Sequence, residues 1–298
     1  MNRKFKISIL STVALLLLSG CSNPINPITS VEPTGETTQP ITGPTVQPTT
    51  QPTSQTPTVQ PTSQTPTDYY GSITDSMSGS TLQNALRNII NTSSVNVSYS
   101  WSRFEACDQD PNKSSNVLMV YARTSLAKSA HVSGNTGWNR EHSFPQSKMS
   151  SEQAKSDNHV IFASDNKVNG ARSNYRLGDL SSKSPNVKDG YGNSTPCKLY
   201  DKSGEKFFDP GDTPARGEVA RATLYAAVMY NYIITDNFES IALCLQWALS
   251  YPVANRDIYR NNTVYRYQNN RNPFVDHPEY ACRIWGTTNS ATRAACGL

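Results

Sequence analysis

The sequence predicts a single α+β domain, helix-rich with few strands, carried behind a long unfolded leader. Three observations predict it. Apolar residues recur at helical spacing over 80–91, 218–232 and 238–250. Short runs rich in Val and Tyr, 95–101 and 115–121, are strand-like. Between Trp138 and Asp179 the order of elements is strand, strand, helix.

The leader comes first. Arg3, Lys4 and Lys6 precede an apolar run from Ile7 to Leu18, and Leu18-Ser19-Gly20-Cys21 follows. This makes residues 1–20 a lipoprotein signal peptide, since the apolar run falls short of the roughly 20 residues a permanent span needs. Cys21 is the expected lipidation site, which would anchor the exported chain to the outer face of a bacterial membrane. The alternative is ordinary cleavage, with Cys21 a stray thiol and the protein released extracellularly. Residues 21–68 are almost wholly Pro, Thr, Gln, Ser and Gly, and the octapeptide at 51–58 repeats at 60–67. No core forms from such a tract. Polyproline II character, at about 3.1 Å per residue, makes it a stalk; a mucin-like binding role is the competing reading.

Residues 69–298, about 230 residues, suffice for one sizeable core. The three leader cations are matched by Glu32, Glu36 and Asp68, so the domain keeps the whole chain's net charge of +4. That excess is compatible with a polyanionic substrate without announcing one. Apart from Cys21, the cysteines Cys107, Cys197, Cys244, Cys282 and Cys296 form an odd set whose pairing is not readable. No Cys-x-x-Cys or Cys/His zinc spacing occurs.

Leu82, Ala85, Leu86, Ile89 and Ile90 share one helical face, with Ser80 or Thr81 as cap. Val95–Trp101 and Ser115–Tyr121 are expected strands, the second leading into a loop that ends at Trp138. Glu218–Tyr232 is an Ala-rich helix, and Phe238, Ile241, Ala242, Leu245 and Leu249 mark another, amphipathic one. Tyr225, Tyr230 and Trp247 fall within these helices and are expected in the core.

The chemistry concentrates between them. Asn139-Arg140-Glu141-His142-Ser143-Phe144-Pro145 reads as a strand ending at a proline, Ser156-Asp157-Asn158-His159-Val160-Ile161-Phe162-Ala163 as a second strand, and a short helix capped by Asp165 or Ser164 follows. Asn166, Asn169 and Ser173 share one face of that helix, with Arg172 three residues after Asn169. Successive strand residues point oppositely, so Glu141 and His142 serve one site only if the strand end is distorted. A carboxylate and an amide oxygen, from Glu141 and Asn169, form the sparse set Mg²⁺ favours when water and phosphate complete its shell. A neutral His142 beside them can take a proton from water, and together these suffice for phosphodiester hydrolysis.

Asn139-Arg140-Glu141-His142-Ser143-Phe144-Pro145-Gln146-Ser147, then Ser156-Asp157-x-His159, then Val168-Asn169-Gly170-Ala171-Arg172-Ser173-Asn174 resemble the endonuclease I family of secreted bacterial nucleases, whose active site is the ββα-metal, or His-Me finger, unit. Ala215-Arg216-Gly217-Glu218-Val219-Ala220-Arg221-Ala222 and Asn270-Arg271-Asn272-Pro273-Phe274-Val275-Asp276-His277-Pro278-Glu279 are similar to its later segments. The resemblance implies Glu141 and Asn169 as ligands of one Mg²⁺, with Mn²⁺ or Ca²⁺ as substitutes, and His142 as general base. It implies cleavage of DNA and RNA with little sequence preference, leaving 5′-phosphates. Where some members carry a glutamate this chain has Lys155, and Asn158 replaces the usual Leu or Met.

Arg172 is expected as a catalytic contact to the phosphate, with pairing to a carboxylate as the competing role. Arg140 and Arg221 are weaker candidates for substrate binding. Asn166 is expected to serve the helix's first turn, His159 to orient the strand pair, His131 to be solvated in its loop and His277 to tie down the tail. Neither an obligate protein partner nor an oligomer is expected. The function is thus an extracellular, metal-dependent endonuclease; the alternatives are a nucleic-acid-binding surface lipoprotein without catalysis and an RNA-only nuclease.

Overall fold

The computed structural model describes residues 66–298. The expected signal peptide, the Cys21 anchor and nearly all of the 21–68 stalk lie outside the described residues. Helix α1 (Gly79–Ser93) buries Leu82, Leu86 and Ile90, one stripe at four-residue spacing. It starts a residue earlier than Ser80, and its cap residue Ser78 makes no side-chain capping bond.

The strand expected at 95–101 does not form. Residues 94–100 are irregular and Trp101 opens a helix, α2 (Trp101–Cys107), which buries Phe104 and Cys107, three residues apart. Tyr99 and Trp101 do not alternate across a ladder: both rings pack on the guanidinium of Arg140. Strands β1 (Gln109–Asp110), β2 (Lys113–Leu118) and β3 (Ser125–Ala127) then form an antiparallel sheet in that order.

β4 (Trp138–His142) pairs antiparallel with β5 (Ile161–Asp165). The second strand is shorter and later than the expected Ser156–Ala163, because α3 (Glu152–Ser156) occupies its first residue. Asp157–Val160 then make a turn organised on the Asp157 carboxylate, which accepts from Tyr225, Tyr230, Gln268 and the His159 amide. Helix α4 (Asn166–Arg172) follows β5 directly, its cap Asp165 accepting from the Lys167 and Val168 amides as expected. Strands β6 (Arg176–Leu177), β7 (Lys198–Lys202) and β8 (Glu205–Asp209) form a third sheet, order β6-β8-β7, with β6 and β8 parallel.

Helix α5 (Ala215–Tyr230) is buried along its whole length from Ala215 to Met229 and ends at Asn231, whose φ of 57° is a left-handed cap. Its small Ala residues let neighbouring elements approach on every side. Helix α6 (Ile241–Ser250) is capped by Ser240; Phe238 precedes it and is buried all the same. Tyr225 and Trp247 are in the core as expected, with Tyr230 packed against it. Helices α7 (Asn255–Gln268), α8 (Pro273–Asp276), α9 (Tyr280–Trp285) and α10 (Ser290–Ala295) complete the chain, and a Cys282–Cys296 disulfide joins the last two. One contiguous apolar cluster underlies all of this, so the described residues form one α+β domain. Across its interior run buried ion pairs: Arg256 and Arg260 on Asp108, Arg256 and Arg123 on Glu218, and Arg221 on Asp257. Among the described residues no helix is long and apolar enough to cross a membrane.

Candidate active site

The β4–β5 ladder runs in unbroken register from Trp138 opposite Asp165 to His142 opposite Ile161. The distorted strand end expected at Glu141 and His142 is therefore absent, and the two side chains leave on opposite faces. Glu141 is buried: its Oε1 accepts from the Tyr121 hydroxyl at 2.7 Å and lies 3.2 Å from Arg172 Nε. His142 faces the other way, beneath the Tyr99 ring at 5.8 Å, with Nε2 2.9 Å from the Lys155 carbonyl.

The helix brings Asn169 to the same strand by another route. Its Nδ2 donates to Asn139 Oδ1 at 2.5 Å and to the Arg140 carbonyl at 3.5 Å. Among the described residues β4 has a ladder partner on one side only, so the Asn169 amide sits against its open edge. From an open edge both faces of a strand are within reach. That contact places the Asn169 amide beside the strand that carries Glu141 and His142.

Electrostatics separates their roles. Burial pushes the Glu141 carboxyl up to about 7, and Arg172 with the Tyr121 hydroxyl reverses this only in part. His142 is held below the usual histidine value, first by burial and further by the charges of Arg140 and Lys155, although the Lys155 carbonyl pulls the other way. The imidazole is thus neutral near pH 7. A carbonyl only accepts, so Nε2 carries the hydrogen and Nδ1 is the free acceptor.

Glu141 and Asn169 fit a hard divalent cation by their chemistry. Glu141 Oε2 and Asn169 Oδ1 accept no hydrogen bond among the described residues, and the buried carboxylate is under-compensated by its cationic neighbour. No group of three or more His, Cys, Asp and Glu among the described residues could cage a metal, so a cation here would have to draw on amide and water oxygens.

The arginines divide. Arg172 is 0 % exposed, and its guanidinium serves Glu141, the Ser143 and Ser173 carbonyls and Asn237. It cannot touch a phosphate; the expected catalytic contact becomes a positioning role toward Glu141. Arg221, expected to bind substrate, is 2 % exposed and bonds Asp257 and the Ala248 and Tyr251 carbonyls in the core. Arg140 alone stays at the surface of the site, its guanidinium 3.5 Å and 3.9 Å from the Tyr99 and Trp101 ring centroids. It has no carboxylate partner among the described residues.

His159, expected to orient the strand pair, instead ties the turn before β5 to the carboxyl-terminal segment and α5, through the Asn270 carbonyl and a tilted contact with Tyr225. His277 packs on Tyr70 and Tyr280. His131 is only partly solvated, its side chain 30% exposed: it stacks on Trp101 at 4.3 Å, 3.4 Å from Glu105. Asn166 ties the preceding loop through the Val132 and Thr136 carbonyls instead of serving its own helix turn. Tyr121, Tyr99 and Trp101 went unrecognised by sequence reasoning, for a lone aromatic in an irregular run carries no periodic signal.

A carboxylate, an amide oxygen and a neutral imidazole at one strand end suit a hydrolase of anionic esters. The Endonuclease I family model matches residues 78–279, which is most of the domain. The chain belongs to this family, and it is a nuclease, a hydrolase of phosphodiester bonds. It is 32% identical over 229 residues to an extracellular ribonuclease of Bacillus amyloliquefaciens, covering 70% of this chain and 75% of that one. A Bacillus subtilis extracellular ribonuclease is 31% identical over 242 residues, covering 73% and 78%. A periplasmic deoxyribonuclease of Aeromonas hydrophila is 32% identical over 120 residues, covering 40% and 47%.

Proposed function

We propose that the protein is an exported, metal-dependent endonuclease that hydrolyses DNA and RNA with little regard to sequence, leaving 5′-phosphates, and that β4, β5 and α4 are its ββα-metal core. The observation that carries this is the Asn169 amide fixed against the open edge of β4, which turns its oxygen free beside the strand that bears Glu141 and His142. Relatives named for ribonuclease and for deoxyribonuclease activity support both substrates, and their extracellular or periplasmic location supports export. Lipidation at Cys21, with 21–68 as stalk and 69–298 as a monomeric nuclease domain, completes the reading.

Glu141 and Asn169 would hold one divalent cation, Mg²⁺ with Mn²⁺ or Ca²⁺ as substitutes, which would supply withdrawal of charge from the phosphate oxygens. Arg172 and Tyr121 keep the Glu141 carboxylate in one orientation. His142 takes a proton from water at Nδ1, its Nε2–H anchored on the Lys155 carbonyl. The water oxygen bonds to phosphorus as the bond to the 3′ oxygen breaks, the departing 3′ oxygen takes a proton from solvent, and His142 returns its own proton to solvent. Because water is the nucleophile, no 2′-hydroxyl is required. Arg140 offers its charge to a backbone phosphate, so activity falls with added salt.

The test is supercoiled plasmid and RNA incubated with purified protein in Mg²⁺ or in chelator. Cleavage of both polymers, abolished by chelator, is expected. Degraded RNA beside intact plasmid would restrict the enzyme to RNA, and binding of both without cleavage would make it a capture protein.

A further inference from the structure

Beside the candidate site lies an aromatic feature that phosphodiester hydrolysis does not use. Arg140 and His142 project from the same face of β4, and the Tyr99 ring packs on both, 3.5 Å from the Arg140 guanidinium carbon and 5.8 Å from the His142 ring at 24°. Arg140 also lies on Trp101, whose indole stacks on His131 at 12°. Tyr99 remains 41% exposed. These rings open on a cleft of ≈ 410 Å³, walled also by Asn139 and Asn166. The Asn166 side chain is more than nine-tenths buried. Its Nδ2 is fixed by two carbonyls, which leaves Oδ1 a buried acceptor without a donor.

We propose that Tyr99, with Arg140 beneath it and held there by Trp101, forms a stacking subsite for an unpaired nucleobase of the strand being cut, so that the enzyme prefers single-stranded over duplex nucleic acid. The inference rests on the nuclease reading and deepens it. In a duplex the base faces are covered by their neighbours, and only edges reach the grooves; an exposed aromatic ring resting on a guanidinium therefore meets a base face only when the strand is unpaired. The same ring contacts His142, so a base stacked there places its own backbone next to the imidazole. Arg140, without a carboxylate partner among the described residues, stands ready for the adjoining phosphate. The cleft lies within the size range of small-ligand sites.

Equilibrium binding of the full-length protein in chelator tests this apart from catalysis. The probes are a labelled single-stranded oligodeoxynucleotide, its duplex, and a strand of abasic residues of equal length. Wild type is expected to bind the single strand about tenfold more tightly than either control. Tyr99→Ala is expected to lose that tenfold on the single strand alone, and Tyr99→Phe to keep it. Equal binding of the three probes by wild type, or equal loss on all three in Tyr99→Ala, overturns the subsite. Failure of the nuclease reading shows separately, as absence of cleavage when Mg²⁺ is added to wild type.

Discussion

Arg172 Nε lies 3.2 Å from Glu141 Oε1, with the arginine fully buried and the carboxylate nearly so. The pair ties α4 to β4 beneath the candidate metal site. A buried ion pair is costly to break from one side, because the surviving charge is left without its partner.

Arg172→Met is therefore expected to destabilise the protein by about 3–5 kcal/mol. Glu141→Gln with Arg172→Met together is expected to cost clearly less than the sum of the single changes, because the pair is removed as a unit. Urea denaturation of the four proteins in chelator measures the coupling. Additivity would show that the two residues act independently.

Acid stability follows from groups within and away from the site. Burial alone would raise the Glu218 carboxyl, yet Arg256 and Arg123 outweigh it and hold the group at about 2. Its folded value is below its unfolded one, so its stabilisation is complete above pH 4.5 and disappears as pH falls from there toward about 2. Buried His159 is lowered to about 4. The unfolded chain takes up that proton near pH 6.5 and the folded one does not, so stability also declines as pH falls from 6.5 to about 4. Glu141, raised by burial to about 7, works the other way between pH 7 and 4.5, because the folded chain takes up its proton first. Melting temperature should therefore change little over that range and drop below it, and His159→Gln should turn the level stretch into a rise on acidification.

The Cys282–Cys296 bridge closes a loop of 14 residues at the carboxyl end. In the chain-entropy account such a loop stabilises by about 3 kcal/mol. Cys282→Ser is expected to lower stability by about that amount without altering cleavage rate. Cys107, Cys197 and Cys244 are buried, with burial pushing the Cys107 and Cys197 thiols up to about 12. Cys107, Cys197 and Cys244 should accordingly stay unmodified by a thiol reagent in native protein until denaturant is added.

Where the apolar pattern was periodic, the sequence was legible. Leu82, Leu86 and Ile90 marked α1, and the Ala-rich run marked α5 to within a turn. Asp165 was readable as a cap because its chemistry is local. Val95–Trp101 was misread because Val and Tyr favour strands only where a ladder receives them, and here Arg140 receives the rings instead. The start of β5 was missed because Asp157 gathers Tyr225, Tyr230 and Gln268, partners 68 or more positions away. Candidate residues Glu141, His142 and Asn169 were legible by type and order. Their geometry was not, since it depends on which edge of β4 is left open, and the same tertiary packing decided that Arg172 and Arg221 are interior.

The account stands most directly on His142. Initial rates of plasmid cleavage at saturating Mg²⁺, for wild type and His142→Ala at equal concentration, measure it. A positioned general base contributes about 10²–10⁴-fold, so the variant should fall by that factor while keeping its fold and its affinity for Mg²⁺. Equal rates would contradict the assignment of His142 as the base and the site built around it.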